Sequence, residues 1–161
     1  MKENIQNKGS FSVGVISDTH GLLRPGVIDA LQGVDLIIHA GDIGDPMIID
    51  ELSAAAPVVA VRGNMDSGGW AYKLNRTEVV EKKDMLFYVL HDISRLDLDP
   101  IVSGIKAVIS GHTHSPSISR YKGVLYLNPG SAGHCRSKLP PSVAVIKVKG
   151  ESLSARIIEL T

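Results

Sequence analysis

At 161 residues the chain is long enough for one domain whose core needs no disulfide or metal staple. Lysine plus arginine and aspartate plus glutamate both total 17 and aromatics make up 4% of the chain, which excludes a basic track for extended nucleic acid and leaves little for base stacking. Cys135 is the lone cysteine, the opening residues carry no apolar leader, and no apolar run nears the ~20 residues of a membrane span; a cytoplasmic protein with no membrane contact is the expectation.

Residues 1–10 read as a frayed polar tail before a single domain over 11–161. A first strand over 11–17 is apolar on both sides of Gly14, as suits a strand covered on both faces. Asp18-Thr19-His20-Gly21 follows, then a helix over 22–32 with Pro25 in its first turn, Val27, Ile28 and Leu31 on one face, and Gly33 as its stop. The second strand, 34–39, runs into Gly41-Asp42. Asp45 is the expected N-cap of a helix from Pro46 to about Ala55, with Met47, Ile48 and Leu52 as its inner stripe and Pro57 forbidding continuation. A third strand over 58–61 leads to a glycine-rich polar loop, 62–69, for which Trp70 is an aromatic anchor.

From there the period changes. Runs at 77–81 and 85–90 flank Lys82, Lys83 and Asp84 and predict a hairpin with the lysines at its tip. Asp99-Pro100 opens a short helix ending near Gly104, 106–110 is a strand, 120–123 a turn, and 124–127 a strand stopped by Asn128-Pro129-Gly130. Strands at 142–148 and 154–160 around Lys149-Gly150 close the chain as a hairpin. An opening β-α-β-α-β and a second half of strands suit an α/β fold in which two sheets pack face to face with helices outside.

Five of the apolar runs deliver a ligand-type side chain at the same end: Asp18 and His20, Asp42, Asn64, His91, and His112 with His114. In an open α/β sheet that end is where ligand groups gather. Carboxylates, imidazoles and a carboxamide without thiolates suit Mn²⁺, Fe, Zn²⁺ or Ni²⁺ rather than Ca²⁺ or a structural zinc. Seven side chains are too many for one ion that keeps a position open, and about right for two, an arrangement that fits phosphoryl chemistry. His39 reads instead as a hydrogen-bonded core residue.

Asp18-x-His20, Gly41-Asp42-x-x-Asp45, Gly63-Asn64, His91 and Gly111-His112-x-His114 stand in an order that resembles the calcineurin-like metallophosphoesterases. The short length, Gly63-Asn64-Met65-Asp66 and Asn128-Pro129-Gly130-Ser131 resemble the small bacterial and archaeal phosphodiesterases of that superfamily. The resemblance implies a four-layer α/β/β/α sandwich with two central mixed sheets. It also implies two divalent ions, manganese first, with nickel, zinc or iron as alternatives. Asp18, His20 and His114 would hold one ion, Asn64, His91 and His112 the other, and Asp42 would bridge them. Asp42, Asn64 and His112 are the implied catalytic residues, and a hydroxide shared by both ions the nucleophile in cleavage of a small anionic phosphate ester. A monomer or small homo-oligomer is expected. The alternative is a non-catalytic binding or scaffold protein on the same fold, like the small retromer subunit.

Two positions depart from the family pattern. Met65 stands where many members have a histidine near the leaving group, so weak activity on poor leaving groups is expected, with Asp66 or His134 as candidate replacements. Asp92 stands where many have glycine; it either orients His91 or faces solvent. Arg24 and Arg136 are candidate substrate-binding residues, since guanidinium suits phosphate.

Overall fold

A computed structural model describes residues 9–135 and 138–160. Its elements are β1 (Ser10–Ile16), α1 (Pro25–Ala30), β2 (Leu36–His39), α2 (Pro46–Ser53), β3 (Val58–Ala60), α3 (Gly69–Tyr72), β4 (Thr77–Lys82), β5 (Met85–Leu90), a 3-10 helix (Ile93–Arg95), β6 (Ala107–Ile109), β7 (Ser117–Tyr121), β8 (Val124–Asn128), β9 (Ser142–Lys149) and β10 (Ser152–Glu159). Two five-stranded mixed sheets form, in the orders β10-β9-β1-β2-β3 and β4-β5-β6-β8-β7. Each has three parallel strands: β1, β2 and β3 in one, β5, β6 and β8 in the other. The hairpins β4–β5 and β9–β10 are antiparallel, as the turn residues between them foretell.

The period-two pattern of β1 explains the layering. Phe11, Val13 and Val15 point between the sheets, where they meet Phe87, Val89, Ile109, Leu127 and Ile146. Phe11 and Phe87 pack edge to face across that gap, ring centroids 6.3 Å apart. Ile16 points the other way, into a second core with Val27 and Leu31 of α1 and Ile48 and Leu52 of α2. The expected four layers are therefore present, but the fourth is thin. Outside the second sheet, Leu96, Leu98 and Ile105 of the segment after the 3-10 helix cover Tyr88, Leu90, Val108 and Val124. Among the described residues no helix is long and apolar enough to cross a membrane.

Several boundaries differ from expectation, each for a local reason. α1 starts at Pro25 because the residue before a proline is pushed out of the helical region, and Arg24 is extended. Asp45 caps α2 as expected, its Oδ1 accepting from the Met47 N–H at 2.9 Å, but Met47 itself is 57% exposed. The inner stripe is the i, i+4 pair Ile48 and Leu52. Residues 100–104 make one capped turn rather than a helix, with no apolar face to bury: Val102 is exposed. β7 went unrecognised because every residue of this edge strand is exposed, so its sequence shows no burial period.

Candidate metal centre and adjoining cavity

All six parallel strands end at one place. β1 delivers Asp18 and His20, β2 Asp42, β3 Asn64, β5 His91, and β6 His112 and His114. Asn128, ending β8, donates through Nδ2 to Gly111 O and Thr113 Oγ1, both at 2.9 Å, and so holds the histidine loop. The loops after β1 and β2 are laced by Asp18 N to Gly41 O and His20 N to Asp42 O, each 3.0 Å.

The backbone here is strained. Asp18, His20, Asp42, His112 and His114 have φ of 57°, 47°, 55°, 71° and 64°. The other non-glycine residues with positive φ among those described, Lys83, Asp84 and Lys122, sit in hairpin turns. Each such conformation costs on the order of 1–3 kcal/mol, and a cluster of five where side chains converge is typical of functional sites. Two glycines make the convergence possible. A Cβ on Gly63 would collide with the backbone nitrogen and carboxylate of Asp42, and one on Gly111 with Ser17 Oγ and the Asp18 carboxylate.

The carboxylates are prepared alike. Asp18 Oδ2 accepts from Ser17 Oγ at 2.6 Å and from the His112 N–H at 3.1 Å, which leaves Oδ1. That oxygen is buried, accepts no hydrogen bond among the described residues, and lies 3.3 Å from His114 Nε2, 3.7 Å from His20 Nε2 and 3.8 Å from His91 Nε2. Asp42 Oδ1 accepts from the Met65 N–H at 2.8 Å, while Oδ2 lies 3.1 Å from His91 Nε2 and 3.6 Å from His20 Nε2. Two compact groups result, Asp18 with His20 and His114, and Asp18 with Asp42 and His91. Ligand atoms about 2 Å from one ion sit roughly 3–4 Å apart, and the carboxylate–imidazole pairs in the two groups lie 3.1–3.8 Å apart. A buried carboxylate oxygen with no donor is costly alone and suits a cation, so residues and metal fit.

The imidazoles pair in the same way. His20 and His114 stack with centroids 5.3 Å apart, and His91 and His112 meet edge to face at 5.1 Å. His91 Nδ1 is 2.8 Å from Ala40 O, which can only accept, so Nδ1 carries a proton and Nε2 is the nitrogen that faces the site. Asn64 and His112 lie on the solvent side, Asn64 Oδ1 being 3.2 Å from His112 Nδ1. Burial works against the charge on Asp42, but His91, the Met65 N–H and His20 outweigh it and hold the carboxyl below its ordinary range. Burial likewise opposes charge on His91, and Asp42 and Asp18 outweigh it, raising its pKa. The pocket thus favours positive charge, which a proton or a divalent cation can supply.

Supporting residues sort clearly. His39 is fully buried, accepts from the Gly41 N–H through Nδ1 at 3.1 Å, and reaches Thr19 Oγ1 at 3.0 Å through Nε2. Complete burial, with a further push from His91, lowers its pKa to about 3; it is the neutral core residue expected. Asp66 straps two ligand loops: Oδ1 accepts from Gly44 N at 3.0 Å and Oδ2 from Gly63 N at 2.9 Å, so neither oxygen is left for acid catalysis. Asp92 does not orient His91. It caps the 3-10 helix through Ser94 and its Oδ2 faces His112 Nε2 at 3.8 Å. Met65 and His134 are exposed, and Trp70 packs on the second core as the expected anchor. Arg24 Nε donates to Gly133 O at 3.1 Å, a tether for that loop, and Arg136 lies outside the described residues.

Beside the Asn64–His91–His112 half opens a cavity of about 380 Å³ whose walls include Arg62, Arg76 and Arg95 together with Asp92. Sequence reading missed these arginines. They come from three separate segments, after β3, before β4 and at the end of the 3-10 helix, and share no spacing.

Fold and site together define a class: a two-sheet α/β protein with a carboxylate–histidine metal centre at the carboxyl ends of its parallel strands. The chain belongs to the calcineurin-like phosphoesterase superfamily, whose domain model matches residues 11–151. A probable metallophosphoesterase of Methanocaldococcus jannaschii is 39% identical, the match covering 94% of this chain and 83% of that protein. Vps29 of Chaetomium thermophilum superposes with a TM-score of 0.79 at 23% identity, covering 94% of this chain and 89% of that one. A structure described as a novel archaeal phosphodiesterase gives 0.71 at 22%, covering 91% and 99%. These two share the fold. The family and the Methanocaldococcus relative make this chain a phosphoesterase-type hydrolase with a divalent-metal site.

Proposed function

We propose that the protein is a dinuclear, manganese-preferring phosphodiesterase of the cytoplasm that hydrolyses a small phosphate ester. The observation that carries this reading is the pair of buried carboxylates, each with one oxygen saturated by protein donors and the other turned toward imidazole nitrogens. Asp18, His20 and His114 would hold one ion and Asn64, His91 and His112 the other, with Asp42 between them. Divalent ions bound there supply Lewis acidity and activate water toward phosphorus. The protein's own part is to fix the ligands: Ser17, the Met65 N–H and Ala40 O set the atoms that face the site.

Preference for diesters with good leaving groups follows from the outer rim. Met65 cannot deliver a proton, and both Asp66 oxygens are engaged with backbone N–H groups. Aryl esters are expected to turn over much faster than alkyl esters, and equal rates would sink the point. The primary test is hydrolysis of bis-p-nitrophenyl phosphate by metal-stripped protein after adding Mn²⁺, Ni²⁺, Zn²⁺ or Mg²⁺, with Asp42→Ala and His112→Ala as controls. Metal-restored activity that Asp42→Ala abolishes and His112→Ala cuts about a hundredfold supports the enzyme. Metal binding without turnover under any ion would favour the alternative, a binding protein on this fold.

A further inference from the structure

The cavity next to the metal centre has a charge pattern that the chain as a whole lacks. Net charge is zero, yet three guanidinium groups meet one carboxylate at this single opening. None of Arg62, Arg76 and Arg95 has a carboxylate within 4.0 Å among the described residues, although Asp92 and Arg95 attract each other at longer range. Arg62 is held in place: its guanidinium lies over the Tyr72 ring at 5.1 Å and its backbone N–H bonds to Asn75 O, which brings Arg76 alongside. Its Nε is buried and finds no acceptor among the described residues.

Asp92 is fixed by its own helix. Its Oδ1 accepts from the Ser94 N–H at 3.0 Å and from the Ser94 hydroxyl at 2.8 Å. It faces His112 at 3.8 Å rather than any of the three arginines at salt-bridge distance. A volume of about 380 Å³ falls within the range of small-molecule sites.

We propose that the substrate carries a second phosphate, bound by Arg62, Arg76 and Arg95, while the ester to be cleaved lies against the Asn64–His91–His112 side of the metal centre. The inference rests on the phosphoesterase reading above and adds a substrate class, a small diester with a further phosphomonoester. Guanidinium forks suit such a group through two-pronged, charge-assisted hydrogen bonds.

The test compares the p-nitrophenyl diester of thymidine monophosphate with and without a second phosphate on its remaining sugar hydroxyl. Calorimetric binding of thymidine bisphosphate and monophosphate to the manganese-loaded protein runs in parallel. The second phosphate is expected to raise kcat/KM and affinity about tenfold or more. In the doubly substituted Arg76→Ala, Arg95→Ala protein both ratios fall to near one, while a distant charge control, Lys149→Ala, keeps them. Both side chains are exposed, so the double variant is expected to fold, which circular dichroism checks. If both diesters are cleaved equally well and bind equally, the second-phosphate site is wrong and the phosphoesterase stands. If neither is cleaved under any metal, yet the bisphosphate binds more tightly in an arginine-dependent way, the anion site is supported and the enzymatic reading falls. Equal binding without cleavage overturns both.

Discussion

By burial, the candidate metal ligands fall into an inner and an outer half that cut across the two proposed ion groups. Asp18, His91 and His114 are 0%, 5% and 7% exposed, and the carboxylate oxygens among them are aimed by donors on their far side. Asn64 and His112 are exposed and lean on each other across 3.2 Å. In the inner half, low dielectric and strained backbone make a hole that suits a cation and little else. The outer half keeps solvent access, and the arginine-lined cavity opens beside it. On the proposed reading, the buried end would hold metal and the open end would meet substrate.

Substitutions should separate those roles, the inner ones striking metal and the outer ones striking turnover. Asp18→Asn removes the carboxylate common to both ligand groups; metal content after gel filtration should collapse and kcat/KM fall about a thousandfold, while the metal-free protein gains stability as a buried charge is lost. If the variant retained both ions, the inner half would not be the anchor. His112→Ala should keep metal in the inner group and lose about a hundredfold in kcat, measured with saturating Mn²⁺. His39 offers a test of the inner half that needs no metal. Its folded pKa of about 3 lies below the ordinary 6.5, so between those values the unfolded chain binds a proton that the folded chain does not. Stability therefore falls as pH drops through that window, by about 2 kcal/mol between pH 7 and 5, and urea unfolding of His39→Asn should lack that share. Ser17→Ala removes one donor to Asp18 Oδ2 and should weaken metal affinity about tenfold, read by competition with a chelator.

The candidate ligands were legible because each follows an apolar strand at a glycine or a turn, a pattern local to the chain. The parallel strands, both hairpins and the Asp45 cap were legible for the same reason. Asp66 was harder. Its position next to Met65 suggested a proton donor, and only the folded loops show both oxygens taken by Gly44 and Gly63. Asp92 and Arg24 likewise have partners remote in sequence, His112 and Gly133. β7 was invisible because an exposed edge strand needs no apolar alternation.

By itself, then, the order of ligand-type residues along the chain carried the family resemblance, and with it the expected fold and the candidate metal ligands, since strand periodicity and the residue after each strand are properties of contiguous sequence. The tertiary structure alone decided which carboxylate oxygen faces inward, which residues are straps rather than acids, and that three scattered arginines share one cavity. Those outcomes depend on how separate loops meet at the sheet ends, and distances between loops are set by packing, not by spacing along the chain.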